Sequence, residues 1–90
     1  MYILDFTKNA TKEIAFLKKS DTISYKKVSK LLEELQEHPR TGTGHPEPLT
    51  QGNDITYSRR INKKDRLIYD IIDEVVTVLV ITTKGHYDDK

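Results

Sequence analysis

The chain has 90 residues, 36% of them hydrophobic and 32% charged, with a formal net charge of +1 and no cysteine. That length supports one domain near the lower limit for a self-sufficient core, and residues 1–90 are expected to form it. So balanced a charge excludes a histone-like or membrane-adsorbing protein, and any contact with nucleic acid must come from local clustering of cations. Disulfide staples and thiolate metal sites are excluded. No apolar run approaches the roughly 20 residues of a membrane span, and no basic-then-apolar leader opens the chain, so a cytoplasmic protein without membrane contact is expected.

Tyr2-Ile-Leu-Asp-Phe6 fits a short strand. Thr7 then offers a hydroxyl as a helix cap, and Ala10, Ile14 and Leu17 recur at helical spacing through Lys19. Ser20-Asp21-Thr22 breaks that pattern and can cap a second helix, whose stripe of Tyr25, Val28, Leu32 and Leu35 ends before Pro39. Lysines such as Lys12, Lys19, Lys26 and Lys30 lie off the two stripes, as a solvated helix face requires. His38, at the end of the second helix, suits the dipole there and needs no functional role.

Residues 39–53 are rich in Gly, Pro, Thr and His without a hydrophobic period, which predicts a loop. Within it Pro46 and Pro48 restrict the backbone around Glu47, either as a stiff crossing or to hold a carboxylate in a narrow range of positions. Tyr57 to Asp70 then reads as two strands joined by a polar turn at Asn62 to Asp65. Alternation puts Ser58 and Arg60 on one face and Tyr57, Arg59 and Ile61 on the other; in the partner strand Arg66, Ile68 and Asp70 oppose Leu67, Tyr69 and Ile71. Arg59, Arg60 and Arg66 thus gather on a small patch of sheet that suits an anion, phosphate being the obvious ligand, and Arg59, on the face opposite Arg60, drops to a structural or partner-contact role. Asp73-Glu74 makes a second turn, and the β-branched run Val75 to Ile81 reads as a central strand covered on both faces. Thr82 to Lys90 reads as a polar tail in which Gly85 frees the backbone to turn His86-Tyr87 back toward the sheet. The element order gives an α+β fold, β-α-α-β-β-β, with two helices packed on one face of a small, mainly antiparallel sheet.

His45, Glu47 and His86 match no familiar metal-ligand spacing, so neither a metal site nor another cofactor is expected. In combination, however, Gly42-Thr-Gly-His-Pro-Glu-Pro-Leu49, Tyr57-Ser-Arg-Arg-Ile61, Asp65-Arg-Leu-Ile-Tyr69 and Lys84-Gly-His-Tyr87 resemble the YoeB (Txe) toxins of the RelE superfamily, over the whole chain and in the same order. The resemblance implies the microbial RNase fold of those toxins. It also implies a ribosome-dependent endoribonuclease that cuts messenger RNA in the aminoacyl site by metal-independent attack of a ribose 2′-hydroxyl. By motif, Glu47 is the candidate general base, His86 the general acid, Arg66 the cation on the scissile phosphate and Tyr87 the residue that orients the RNA. Arg60 would assist in substrate binding. The family usually has lysine where this chain has Thr50, and Lys84 or His45 are the candidate substitutes. Tyr57 replaces the usual Trp, and Asp88-Asp89-Lys90 extends the usual His-Tyr end with carboxylates that favour protonated His86 and weaken phosphate binding. The implied partners are a YefM-like antitoxin, ribosomal RNA contacted by the helix lysines, messenger RNA, and a second copy in a homodimer, with operator DNA reached only through the antitoxin. Two rival readings remain at this level: a toxin-fold module acting mainly as an antitoxin-binding corepressor, and a ribonuclease independent of the ribosome.

Overall fold

The computed structural model describes residues 1–49 and 54–85. Strand β1 (Ile3–Phe6) leads into helices α1 (Lys8–Ser20) and α2 (Thr22–Glu37). The Thr7 hydroxyl accepts from the Ala10 amide at 3.0 Å and donates to the Ile81 carbonyl at 2.6 Å, so one side chain starts α1 and ties it to the sheet. A single residue separates the helices. The Asp21 amide closes α1 on the Leu17 carbonyl at 2.8 Å, and its carboxylate opens α2 by accepting from the Ser24 amide at 3.1 Å. That bond to Ser24 holds the Asp21 carboxyl below its ordinary range.

Ala10 and Leu17 from α1, with Val28, Leu31 and Leu35 from α2, bury against one face of the sheet, and Ile14, Tyr25 and Leu32 pack at the margin. Leu31 rather than Leu32 thus sits at the centre of the α2 stripe, at the three-residue step from Val28 that one helix face also allows. Strands β2 (Glu47–Pro48), β3 (Thr56–Arg60), β4 (Arg66–Ile72) and β5 (Thr77–Gly85) complete a five-stranded sheet of order β1-β5-β4-β3-β2. Only the β1–β5 pairing is parallel. The expected layers are therefore present, with one more strand than the sequence pattern showed.

Three boundaries differ from the sequence-based expectation. The loop of residues 39–53 contains β2, too short for any period to register. The β-branched run is not a strand throughout: Asp73–Val75 form a 3-10 turn, and Val76 closes it in the left-handed region at φ 48°. Its strand portion is covered on one side, with Val78 and Val80 buried but Leu79 and Ile81 only half-buried. Finally, Thr82–Gly85 are not tail but the end of β5. The hydrophobic signal had faded there, because two register shifts between Arg66 and Tyr69 carry β5 past β4. They turn Thr83 toward α1, where its amide and hydroxyl donate to Glu13 at 2.8 and 3.2 Å. Among the described residues no helix is long and apolar enough to cross a membrane.

Candidate active site

The segment that carries Glu47 is shaped from beneath by Arg59. This side chain is fully buried, and its guanidinium spends all of its N–H groups on that segment and its supports. Nε donates to the Tyr69 hydroxyl at 3.0 Å, one terminal nitrogen to Glu34 at 3.0 Å and the Thr43 carbonyl at 3.3 Å, and the other to the carbonyls of Thr41, at 2.8 Å, and His38. Tyr69 in turn donates to the Pro39 carbonyl at 2.8 Å. Glu34 also accepts from the amide and hydroxyl of Thr43, at 2.8 and 2.7 Å. Thr43, burial-opposed, and then Arg59 hold the Glu34 carboxyl below the usual carboxylate range. The structural role expected for Arg59 is thus specific: it is the mould of the α2–β2 connection.

The chain can lie this close only because of two glycines. A Cβ on Gly42 (φ +124°) would stand 2.4 Å from Glu34 Oε1, and one on Gly44 (φ +84°) 3.0 Å from the Arg60 carbonyl. Gly44 accepts from the Arg60 amide at 2.6 Å. His45 follows at φ 53°, exposed, and the chain then enters β2 through Pro46. At the outer end of the loop Arg40 pairs with Asp54 and Asp73, each at 3.0 Å. Asp54 accepts from the Tyr57 hydroxyl, whose ring stacks on Tyr69 with centroids 6.2 Å apart. Tyr57 and Tyr69 therefore form a buried aromatic pair beneath the connection.

On the sheet face away from the helices, cross-strand register gathers the candidate residues. Glu47 of β2 is opposite Ser58, which is opposite Ile68, which is opposite Thr82. The next row along is Arg60 opposite Arg66 opposite Gly85. Opposed residues share a face with Cβ atoms about 4.5–5.5 Å apart, and diagonal neighbours such as Glu47 and Arg60 lie within reach of long side chains. Glu47 and Arg60 are exposed and Arg66 half-buried. Between them Ser58, 1% exposed, has a buried hydroxyl with no hydrogen-bond partner among the described residues. A carboxylate, an unengaged hydroxyl and two guanidinium groups thus share one patch.

The other sequence-predicted residues are distributed differently. Lys84 is not brought to this patch: its ammonium lies 5.3 Å from the Phe16 ring centroid, on the α1 side. His86 and Tyr87 lie outside the described residues, as do Thr50 and Asp88 to Lys90. The last described residue, Gly85, is opposite Arg66. A Cβ there would stand 2.2 Å from the Ile68 side chain. Gly85 thus provides close strand approach, and the turn expected after it, at His86-Tyr87, lies outside the described residues.

One part of the surface was not anticipated. A recess of about 420 Å³ is lined by Lys27, Arg60, Ile61, Asn62, Lys63 and Arg66. Its shape depends on Asn62, which donates to the buried Ser24 hydroxyl at 2.9 Å and accepts from the amides of Lys64 and Asp65 at 2.9 and 2.8 Å. The only advance sign was spacing, since Lys27 lies one helical turn beyond Ser24.

The chain and its fold match known proteins. Residues 6–87 match the family model of the YoeB-like toxin of bacterial type II toxin–antitoxin systems. Toxin YoeB of Mycobacterium bovis is 33% identical over 87 residues, covering 97% of this chain and all of the relative. The YoeB dimer of Staphylococcus aureus superposes with a TM-score of 0.83 at 29% identity, covering 96% of this chain and 98% of the other. The YoeB chain in the heterotetrameric YoeB–YefM toxin–antitoxin complex of the same organism superposes with a TM-score of 0.79 at 28% identity, covering 97% and 99%. Motifs, layer order and superposition lead to one conclusion: the chain belongs to the YoeB-like toxins of bacterial type II toxin–antitoxin systems.

Proposed function

We propose that residues 1–90 act as a single toxin domain, a ribosome-dependent endoribonuclease that cleaves messenger RNA in the aminoacyl site and so inhibits translation. The observation that carries this reading is the shared patch of Glu47, Ser58, Arg60 and Arg66 in adjacent cross-strand rows. Glu47 takes the proton of a ribose 2′-hydroxyl, whose oxygen bonds to the adjacent phosphorus. The bond from phosphorus to the 5′-oxygen breaks, and His86 gives that oxygen a proton. The products are a 2′,3′-cyclic phosphate and a free 5′-hydroxyl; the step balances with no redox partner and no metal. Arg66 and Arg60 stabilise the charge that builds on the phosphate, where one well-placed donor contributes roughly 2.7–4 kcal/mol. Tyr87 orients the RNA by stacking.

The exposure of Glu47 gives the ribosome a chemical task. Closing the codon and the decoding centre over it excludes water from the carboxylate and the 2′-hydroxyl it faces. The ribosome also fixes the codon's bend, and lysines on α1 and α2 make salt-sensitive contacts with ribosomal RNA. The site of action is the cytoplasm, and the S. aureus structures of a YoeB dimer and a YoeB–YefM complex support a YefM-like antitoxin and a second copy as partners. The corepressor reading gains nothing from a face that gathers a carboxylate and two guanidinium groups.

The test incubates purified protein with naked messenger RNA and with programmed ribosomes, and maps the new 5′ ends. Cuts confined to the aminoacyl-site codon and lost in His86→Gln are expected. Cleavage of naked RNA at the same rate would replace the reading with a free ribonuclease, and no cleavage in either sample would remove the enzymatic reading.

A further inference from the structure

We infer that the recess beside the arginine row is a second phosphate subsite, holding the phosphate one nucleotide to the 3′ side of the scissile one, with Lys27 and Lys63 as its ligands. This inference rests on the cleavage reading above. Four of the six residues around the recess are cationic and none is acidic. Among the described residues, neither Lys27 nor Lys63 has a carboxylate within ion-pair distance. Holding Lys27 and Lys63 beside the two arginines with no carboxylate in the lining costs repulsion, which an incoming anion reverses. The volume, about 420 Å³, falls within the roughly 300–1,000 Å³ of ligand clefts.

The site is held rather than merely crowded. Asn62 uses both ends of its amide, one on the buried Ser24 of α2 and one inside the hairpin turn. The turn is thereby clamped against the helix, with Lys63 on one wall and Lys27, a helical turn from Ser24, on the other. Lys64 does not join them, since its charge acts on Asp21 instead. Ile61, 5% exposed, closes the floor.

Direction along the strand sets the polarity of the RNA. The order is Glu47 with Ser58, then Arg60 with Arg66, then the hairpin turn. The base marks the ribose whose 2′-hydroxyl attacks, and the arginines mark the scissile phosphate. The leaving 5′-oxygen belongs to the next nucleotide, so that nucleotide's own 3′-phosphate falls at the turn. Lysine suits this position, because a phosphate that is held but not transformed needs a flexible point charge rather than a rigid fork.

The test uses a dinucleotide with a 2′-O-methyl group on its first ribose, which cannot be cleaved, titrated by NMR in three forms: unmodified at its ends, with a 3′-phosphate, and with a 5′-phosphate. The 3′-phosphate is expected to tighten binding about three- to tenfold more than the 5′-phosphate does. That increment should vanish in Lys27→Met/Lys63→Met, whose dependence of log K on log salt should also be shallower than that of the wild-type protein. An equal gain from either phosphate, or a gain that survives the double substitution, overturns the subsite. If wild-type protein cleaves on ribosomes while the 3′-phosphate gain is absent, the subsite alone fails. Absence of cleavage removes the reading beneath it.

Discussion

Replacing Arg59 with Met should cost about 3–5 kcal/mol of folding stability, the usual loss when one member of a buried ion pair is removed. Met keeps much of the aliphatic stem, so the cost comes from unmet polar groups rather than from a cavity. The carbonyls of His38, Thr41 and Thr43 and the Tyr69 hydroxyl would each lose a donor that is in place now. Glu34, with 24% of its side chain exposed, can recover part of its solvation, which keeps the estimate within that range. A domain of this size has a total stability of roughly 5–13 kcal/mol, so at the low end the variant would retain only about 0–2 kcal/mol and be as much as half unfolded. Urea denaturation followed by circular dichroism measures the loss. Arg59→Lys should fall between the two, because a single ammonium keeps the charge on Glu34 but cannot span the carbonyls on both sides. A loss of less than about 1 kcal/mol in Arg59→Met would refute the view that this side chain moulds the connection to β2.

Gly42→Ala should destabilise by about 1–3 kcal/mol, through the left-handed backbone and the approach of its Cβ to Glu34, and thermal melting would show it. Glu47→Gln should lower cleavage on ribosomes by about 10²–10⁴-fold with folding unchanged, read by primer extension. Arg66→Gln should lower the single-turnover rate by about 10²–10³-fold. For pH, the Glu34, Asp54 and Asp73 carboxyls all lie below their ordinary values in the folded protein: Thr43 is the first cause for Glu34, the Tyr57 hydroxyl for Asp54 and Arg40 for Asp73. Their contribution is full above the unfolded carboxylate range near pH 4 and is lost as pH falls through the lower folded values, so melting temperature should drop steeply below about pH 4. Glu34→Gln should flatten that slope; an unchanged slope would count against it.

The layers were legible because periodicity reports burial. Leu67, Tyr69 and Ile71 against Arg66, Ile68 and Asp70 is a two-residue alternation that β4 reproduces. The split of Arg59 from Arg60 followed from the same rule, and burial agrees with it: Arg59 is enclosed and Arg60 exposed. What stayed hidden was tertiary in origin. Nothing local announces that Asn62 reaches Ser24, 38 positions away, and without that contact the spacing of Lys27 from Ser24 says nothing of the arginines. A two-residue strand has no period, and the bulged end of β5 broke the alternation that would have extended it through Gly85. Lys84 was read as a substitute for the missing lysine, but past the register shifts its ammonium lies over Phe16.

The prolines around Glu47 also bear on how the sheet meets other chains. The Leu49 amide donates inward to Thr56, so by antiparallel alternation the outward-facing amide positions of β2 fall on Pro46 and Pro48, which have no N–H to offer. This border of the sheet therefore offers no donor at either position to a strand that would extend it. The carboxylate stands on a rim that resists strand addition, and a toxin crowded with its own copies is protected from edge-to-edge stacking at the place where stacking would cover Glu47.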